Sequence, residues 1–260
     1  MECLKLRLIL FGDKERLEQS PEIELNTFTE RLILLLHKEL NKFQGEPSKQ
    51  IPNVDETDEK QVLKARMKLF TTEYMSKISD QFYYLSKIKE QCGVCNNVIR
   101  YLAGINSLCG MYPDKTAKFL GKKNITVIDL FRHYSKTRLY TDVDEFCGHC
   151  GKKVDKVNRN KILYTCPFNF ILEICYSDEK SFNLSIDEYI NIQEFVERKE
   201  FVKYNYYLVG AIYLEQTENE SKYVSISKLS NGGWAYFNGN TITNSSFNDL
   251  LAHKNLKMLF

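Results

Sequence analysis

QCGVCNN at residues 91 to 97 and FCGHCGK at residues 146 to 152 decide how this chain is read. Each holds two cysteines two residues apart, Cys92 with Cys95 and Cys147 with Cys150. That spacing lets both thiolates reach one ion, and two such knuckles supply the four soft ligands of a tetrahedral zinc site. Gly93 and Gly148 lie inside the knuckles, where glycine is expected to let the backbone turn so that successive amides point at sulfur. The expectation is a structural zinc held by Cys92, Cys95, Cys147 and Cys150, clamping two hairpin tips from distant parts of the chain. Cys147-Gly-His-Cys150 also has the wording of a disulfide oxidoreductase motif, which needs its first thiol at a helix N-terminus. The following GKKVDKVNRN has no apolar helical face, so the redox reading is set aside. His149 reads as an exposed knuckle residue, Cys109, Cys166 and Cys175 as small core residues among apolar neighbours, and Cys3 as unpartnered.

The rest of the composition suits this reading. In 260 residues, 43% hydrophobic and 13% aromatic content suffices for a real core. Lys+Arg 36 against Asp+Glu 34 leaves a net charge of +2 with no long block of one sign, which argues against a dedicated nucleic-acid binder. No run of eighteen apolar residues exists, and the opening MECLKLRLILFG is too short and too charged for a signal peptide or membrane span. Eight cysteines are too few for a disulfide scaffold and suit metal in a reducing compartment. The expectation is therefore an intracellular protein, cytoplasmic or nuclear, with no membrane partner.

Periodicity places a helix over residues 25 to 43, where Phe28, Leu32, Leu35, Leu36, His37 and Leu40 recur at three- and four-residue spacing. Residues 44 to 61 are polar, broken by two prolines and a glycine, and read as a mobile loop. A second helix is expected over about 59 to 75. From about Phe82 the chain turns strand-rich, in FYYLSKIK, NNVIRYLAGI and KILYTCPFNFILEICYS, with one helix over about 126 to 134. YYLVGAIYL, KYVSISKL, GWAYF and NTIT read as a closing meander, followed by a short helix over about 246 to 252 and LKMLF. The fold class is α+β.

Taken in order, these segments resemble the catalytic domain of the ubiquitin-specific proteases, cysteine deubiquitinases with a thumb, a palm and zinc-bearing fingers. ELNTFTERLILLLHKELN is similar to the family's helix ending His-x-Glu-Leu-Asn, with His37, Glu39, Leu40 and Asn41 in register. The stretch ISDQFYYLSKIKEQCGVC is similar to the strand entering the first knuckle, and FCGHCGKKVDKVNRNKILYTCPFNFILEI to the second knuckle and the palm strand after it. The resemblance covers residues 22 to 260. It implies a cysteine-protease-like palm with an antiparallel sheet, zinc-ribbon fingers and a shortened helical thumb in one domain over 1–260. Residues 1–78 would be the thumb remnant, 79–110 and 136–165 the fingers, and 111–135 with 166–260 the palm.

Such an enzyme needs a thiolate nucleophile, an imidazole base and a group to orient it. The family's nucleophile lies in an Asn-x-Gly-Asn-Thr-Cys-Tyr segment upstream of the thumb helix, and no such segment is found here. Where the family has Gly-His-Tyr, this chain has Ser221-Lys222-Tyr223, and a charged lysine cannot accept the thiol proton. Asn238, in Tyr236-Phe237-Asn238, matches the orienting position but is left with no imidazole to orient. His37, His133, His149 and His253 stand beside no plausible nucleophile in sequence. The expectation is a pseudoenzyme with no catalytic residues, Lys222 and Asn238 being vestigial positions. It would act as a structural or protein-interaction module in a multiprotein complex, with exposed tyrosines among Tyr204, Tyr206, Tyr207 and Tyr213 adding contact area or, more plainly, filling the palm core. The alternatives are a non-cleaving ubiquitin binder, an active deubiquitinase with an unusual or borrowed nucleophile, and an unrelated zinc-ribbon protein.

Overall fold

A computed structural model describes residues 25–41, 54–176, 182–199, 204–216, 221–252 and 255–260. Cys3 and His253 lie outside these residues, as does the loop expected at 44–61 up to residue 53. The chain runs α1 (Leu25–Leu40), α2 (Glu59–Glu73), α3 (Lys77–Phe82), β1 (Tyr84–Cys92), β2 (Val98–Asn106), β3 (Cys109–Met111), α4 (Pro113–Leu120), β4 (Asn124–Thr126) and α5 (Val127–Tyr134). It continues through β5 (Arg138–Cys147), β6 (Lys152–Leu163), β7 (Leu172–Ile174), β8 (Asn183–Ser185), β9 (Tyr189–Asn191), β10 (Asn205–Tyr207) and β11 (Gly210–Gln216). Then follow β12 (Ser221–Lys228), β13 (Trp234–Asn238), β14 (Thr241–Ser245), α6 (Phe247–Ala252) and β15 (Leu256–Leu259).

Two sheets organise the molecule. One is a four-stranded antiparallel sheet in the order β2-β1-β6-β5; the other has seven strands in the order β14-β13-β12-β11-β15-β7-β3. The larger sheet carries the main core, where Leu130 and Phe131 of α5 and Ile125 of β4 meet Leu172, Tyr213, Val224 and Ile226. Tyr213 is fully buried and donates its hydroxyl to the Leu250 carbonyl at 2.7 Å, so its polar end costs little on burial. α5 is well specified locally: Thr126 caps it, and Asp129 reaches back to the Thr126 backbone N–H at 3.1 Å.

The closing meander is present, and the strand that follows it leaves the order of the chain. β11 to β14 pair in sequence order, but β15 returns through α6 to lie between β11 and β7. LKMLF is thus a central strand, with Met258 and Leu259 buried on it, and apolar residues on successive positions suit a strand covered on both faces. The apolar run 162–176 is likewise not one strand: β6 ends at Leu163 and β7 begins at Leu172, with Pro167 between them. Two helices were not expected. α3 has only six residues, too few to display a period, though Ser76 and Ser79 form a reciprocal capping box at its start. α4 opens on Pro113 and stops at Gly121 with φ 62°, the proline-first, glycine-last asymmetry that a closer reading could have used.

The thumb helix α1 is present, with a different buried stripe. Ile33 and His37 are buried, whereas Leu36 and Leu40 are 41% and 51% exposed among the described residues. His37 decides the orientation. Its Nδ1 lies 2.8 Å from Ser76 Oγ, its Nε2 3.1 Å from Asn41 Nδ2, and its ring stacks on Tyr74. Turning a leucine face inward would strip these partners from the imidazole. His133 is similarly placed, with Nδ1 2.7 Å from Thr116 Oγ1 and its ring stacked on Phe119.

Burial lowers the pKa of both imidazoles; that of His133 falls to about 4, with Arg138 and Lys115 adding to the effect. A folded pKa below the unfolded value gives stability that is complete above about pH 6.5 and lost as pH falls toward 4. Urea midpoints measured across that window should drop, and His133→Gln should flatten the slope. An unchanged slope in the variant would contradict the assignment.

Candidate functional site

The four knuckle cysteines meet at the tip of the four-stranded sheet. Cys92 ends β1, Cys147 ends β5, and the antiparallel pairing of β1 and β5 with β6 brings the two ends together across residues 152–157. All four Sγ atoms lie within 4.8 Å of one another, with Cys92 to Cys150 at 3.8 Å and Cys95 to Cys147 at 3.6 Å. A sulfur tetrahedron with metal–sulfur bonds of about 2.3 Å has edges of about 3.8 Å, whereas a disulfide bond is about 2.05 Å long. The donor set and its spacing therefore fit a tetrahedral metal ion.

The turns are made differently from the expectation. Neither Gly93 nor Gly148 is left-handed; the positive φ angles fall just after each pair, at Asn96 (59°) and Gly151 (64°). Asn96 N–H donates to the Cys92 carbonyl at 2.9 Å and Gly151 N–H to the Cys147 carbonyl at 2.8 Å. Gly93 is needed for close approach instead: a Cβ there would stand 2.8 Å from the carbonyl oxygen of Lys156, to which Gly93 N–H donates. A Cβ at Gly148 would meet nothing within 4 Å. The N–H groups of Val94 and Cys95 do point at Cys92 Sγ, at 3.4 and 3.5 Å.

The N–H of Cys150 pulls the Cys147 thiol down to about 6, while its neighbour Cys150, bonded to that thiol, is pushed up to about 12. A strand, β6, follows the second pair where a redox motif would need a helix. His149 is exposed, as expected. Of the other described thiols Cys109 is in the core, Cys166 packs partly buried against it, and Cys175, expected in the core, is only half-buried; burial raises Cys109 and Cys175 to about 11, and Cys166 upward as well, which keeps them protonated and poorly nucleophilic at neutral pH.

Lys222 and Asn238 lie on one face of the seven-stranded sheet. Lys222 pairs with Glu215 across β11 and β12, and Tyr236 pairs with Ile226 across β12 and β13. Alternation then puts Lys222, Ile226, Tyr236 and Asn238 on the same side. Asn238 Nδ2 donates to the Tyr236 hydroxyl at 3.3 Å, that hydroxyl donates to Glu215 Oε1 at 2.9 Å, and Lys222 Nζ stands 3.9 Å from Glu215 Oε2. Burial and then the bond to Glu215 raise the Tyr236 phenol. Asn238 thus has a partner, a tyrosine, which the sequence reading missed although its two-residue spacing from Asn238 places both on one face. Both ring nitrogens of His37, and Nδ1 of His133, are taken by hydroxyl and amide groups. Of the four tyrosines weighed for contact, Tyr204 and Tyr213 are core; Tyr207 is 68% exposed.

This α+β fold of mostly antiparallel sheets, with helices and a four-cysteine knuckle pair, is shared with solved structures of ubiquitin-protease modules. One is the SAGA DUB module of Ubp8, Sgf11, Sus1 and Sgf73 bound to monoubiquitin, with a TM-score of 0.57 and 17% identity, covering 77% of this chain and 45% of that one. Another is the yeast SAGA DUBm with a mutant Sgf73, with a TM-score of 0.59 and 16% identity over 77% of this chain and 47% of that one. A third is the Ubp8/Sgf11/Sus1/Sgf73 module bound to ubiquitin aldehyde, with a TM-score of 0.57 and 17% identity, covering 77% and 46%. The chain spans less than half the length of the chains it matches. No protein-family model and no curated protein matches it.

Proposed function

We propose that this chain is a ubiquitin-specific-protease-like domain without peptidase activity, acting as a structural or protein-interaction module within a multiprotein complex. The observation that carries the reading is the Lys222–Glu215–Tyr236–Asn238 chain of contacts. Where the family resemblance requires a neutral imidazole and its orienting group, a carboxylate engages a lysine and a phenol. None of these groups resembles a base matched to a thiol near pH 7. Cys92, Cys95, Cys147 and Cys150 hold zinc in a structural role, and four metal-bound thiolates suit a reducing intracellular compartment. The thumb, fingers and palm divide the chain as the resemblance implies, within one domain. Complex membership is supported by the fold of the matched chains, which were solved in multi-subunit modules.

Incubation with ubiquitin vinyl sulfone tests the reading. No adduct is expected at any cysteine, and covalent labelling at any one would sink it. A second reading, ubiquitin binding without cleavage, is favoured by two of the matched structures, one bound to monoubiquitin and one to ubiquitin aldehyde. Titration of labelled ubiquitin separates the two: micromolar shifts on its apolar face would make the chain a reader, and none at several hundred micromolar would leave a scaffold.

A further inference from the structure

Four cations line a cavity of about 260 Å³ where the four-stranded sheet meets α4 and α5, and among the described residues no aspartate or glutamate lines it. They are Lys136, Arg138, Arg159 and Lys161. Arg159 is already balanced. Glu90, with no exposed surface, takes both Arg159 and Arg100, and Arg100 also holds Glu145, so two carboxylates offset two guanidiniums. Lys136, Arg138 and Lys161 form no salt bridge among the described residues, which leaves three charges unmatched at one cavity in a chain whose net charge is +2.

Arg138 and Lys161 are partly withdrawn from water, and Lys136 is exposed. Arg138 Nη2 donates to the His133 carbonyl at 3.1 Å, but its Nε is buried without a hydrogen-bond partner. Lys161 Nζ sits 4.9 Å from the centre of the Tyr134 ring; burial, together with the like charge of Arg138, lowers its pKa. Buried cations without an anion are costly, and a bound anion relieves them. Two tyrosine rings line the cavity among polar groups: Tyr134 is 7% exposed, and the Tyr140 ring carries the Arg159 guanidinium 4.5 Å from its centre. The imidazole of His133, its Nδ1 engaged by Thr116, adds no charge at neutral pH. Asp114 influences His133 electrostatically but does not line the cavity.

We propose that this cavity binds a small phosphate monoester with a flat, single-ring body. The dianion would be met by the guanidinium of Arg138 and the ammonium of Lys161, with exposed Lys136 at the mouth. A carboxylate would match only one of the three charges, whereas a phosphate dianion matches two and offers oxygens to a guanidinium edge. The volume falls below the roughly 300–1,000 Å³ of common ligand pockets, which favours a small ligand.

The test is calorimetric titration of the zinc-loaded chain with phenyl phosphate, inorganic phosphate and benzoate at matched ionic strength. Saturable binding of phenyl phosphate is expected, weaker for phosphate and weakest for benzoate. Arg138→Met and Lys161→Met should each weaken it about tenfold or more, the weight of one charge-assisted hydrogen bond. Lys118→Met, a charge lost from an exposed position on α4, should leave it unchanged. In the unaltered protein, phenyl phosphate should raise the Lys161 ammonium pKa toward its ordinary value, as read from the Nζ resonance, which keeps the test valid if a variant fails to fold. No saturable binding up to about 10 mM, or equal weakening by Lys118→Met, overturns the site. Benzoate binding as tightly as phenyl phosphate overturns the phosphate class.

Discussion

Serine at Cys147 is expected to unfold the tip of the four-stranded sheet while the seven-stranded sheet stays folded. Little else holds that tip. Its cluster of buried residues is Cys92, Cys147, Val154 and Val157, and Val94 and Phe146 beside it are exposed. Two metal ligands therefore make up half of this small core. Structural zinc contributes on the order of 10 kcal/mol to small modules folded around it, far more than two buried valines supply at about 1.5–3 kcal/mol each. Hydrogen exchange reads the outcome directly. Amides of β5 and β6 near residues 141–157 should lose protection by orders of magnitude in Cys147→Ser or on chelation, while those of β11 and β12 keep it. Equal protection at the tip in both forms would show that the cysteines hold no structural metal.

Glu90→Gln should cost about 3 kcal/mol, the second large effect. Glu90 is fully buried, and its carboxylate takes Arg159 Nε and Arg100 Nε, each at 2.6 Å, from the strands on either side of β1. Arg100 and Arg159 sit directly opposite Glu90 in the β2 and β6 registers, so one side chain ties three strands at one level. Neutralising it leaves Arg159 without its anion and Arg100 with Glu145 alone. Breaking such a group costs far more than replacing it whole with apolar residues of similar volume. The urea midpoint of Glu90→Gln should fall sharply, and Glu90→Leu with Arg100→Met and Arg159→Met should recover much of the loss. A fall of under about 1 kcal/mol in the single variant would mean that water screens the cluster.

How much was legible in advance depended on the range of the interaction. The zinc knuckles needed only two residue types at fixed spacing, because a metal site constrains ligands locally and repeats its signature. α5 was visible because its capping Thr126 and the residues it serves are neighbours in sequence, and α2 because Val62, Ala65, Leu69 and Phe70 offer a local, if irregular, apolar face. α3 escaped, having too few residues to display a period, and α4, no shorter than α5, escaped although proline and glycine bracket it. The buried stripe of α1 was misread because it follows from His37 meeting Ser76 and Tyr74, whose positions relative to the helix only folding sets.

The same division runs through the functional reading. From sequence alone came the α+β class, the four clustered cysteines and a lysine at position 222 where the resemblance calls for an imidazole, all of which are statements about residue identity and spacing. Tertiary structure alone decided that Glu215 and Tyr236 join Lys222 and Asn238, that LKMLF lies in the middle of a sheet, and that Lys136, Arg138 and Lys161 face one cavity. Strand register and the docking of a helix on a sheet bring these groups together, and both are settled by burial across the whole core. No local pattern in the chain encodes them.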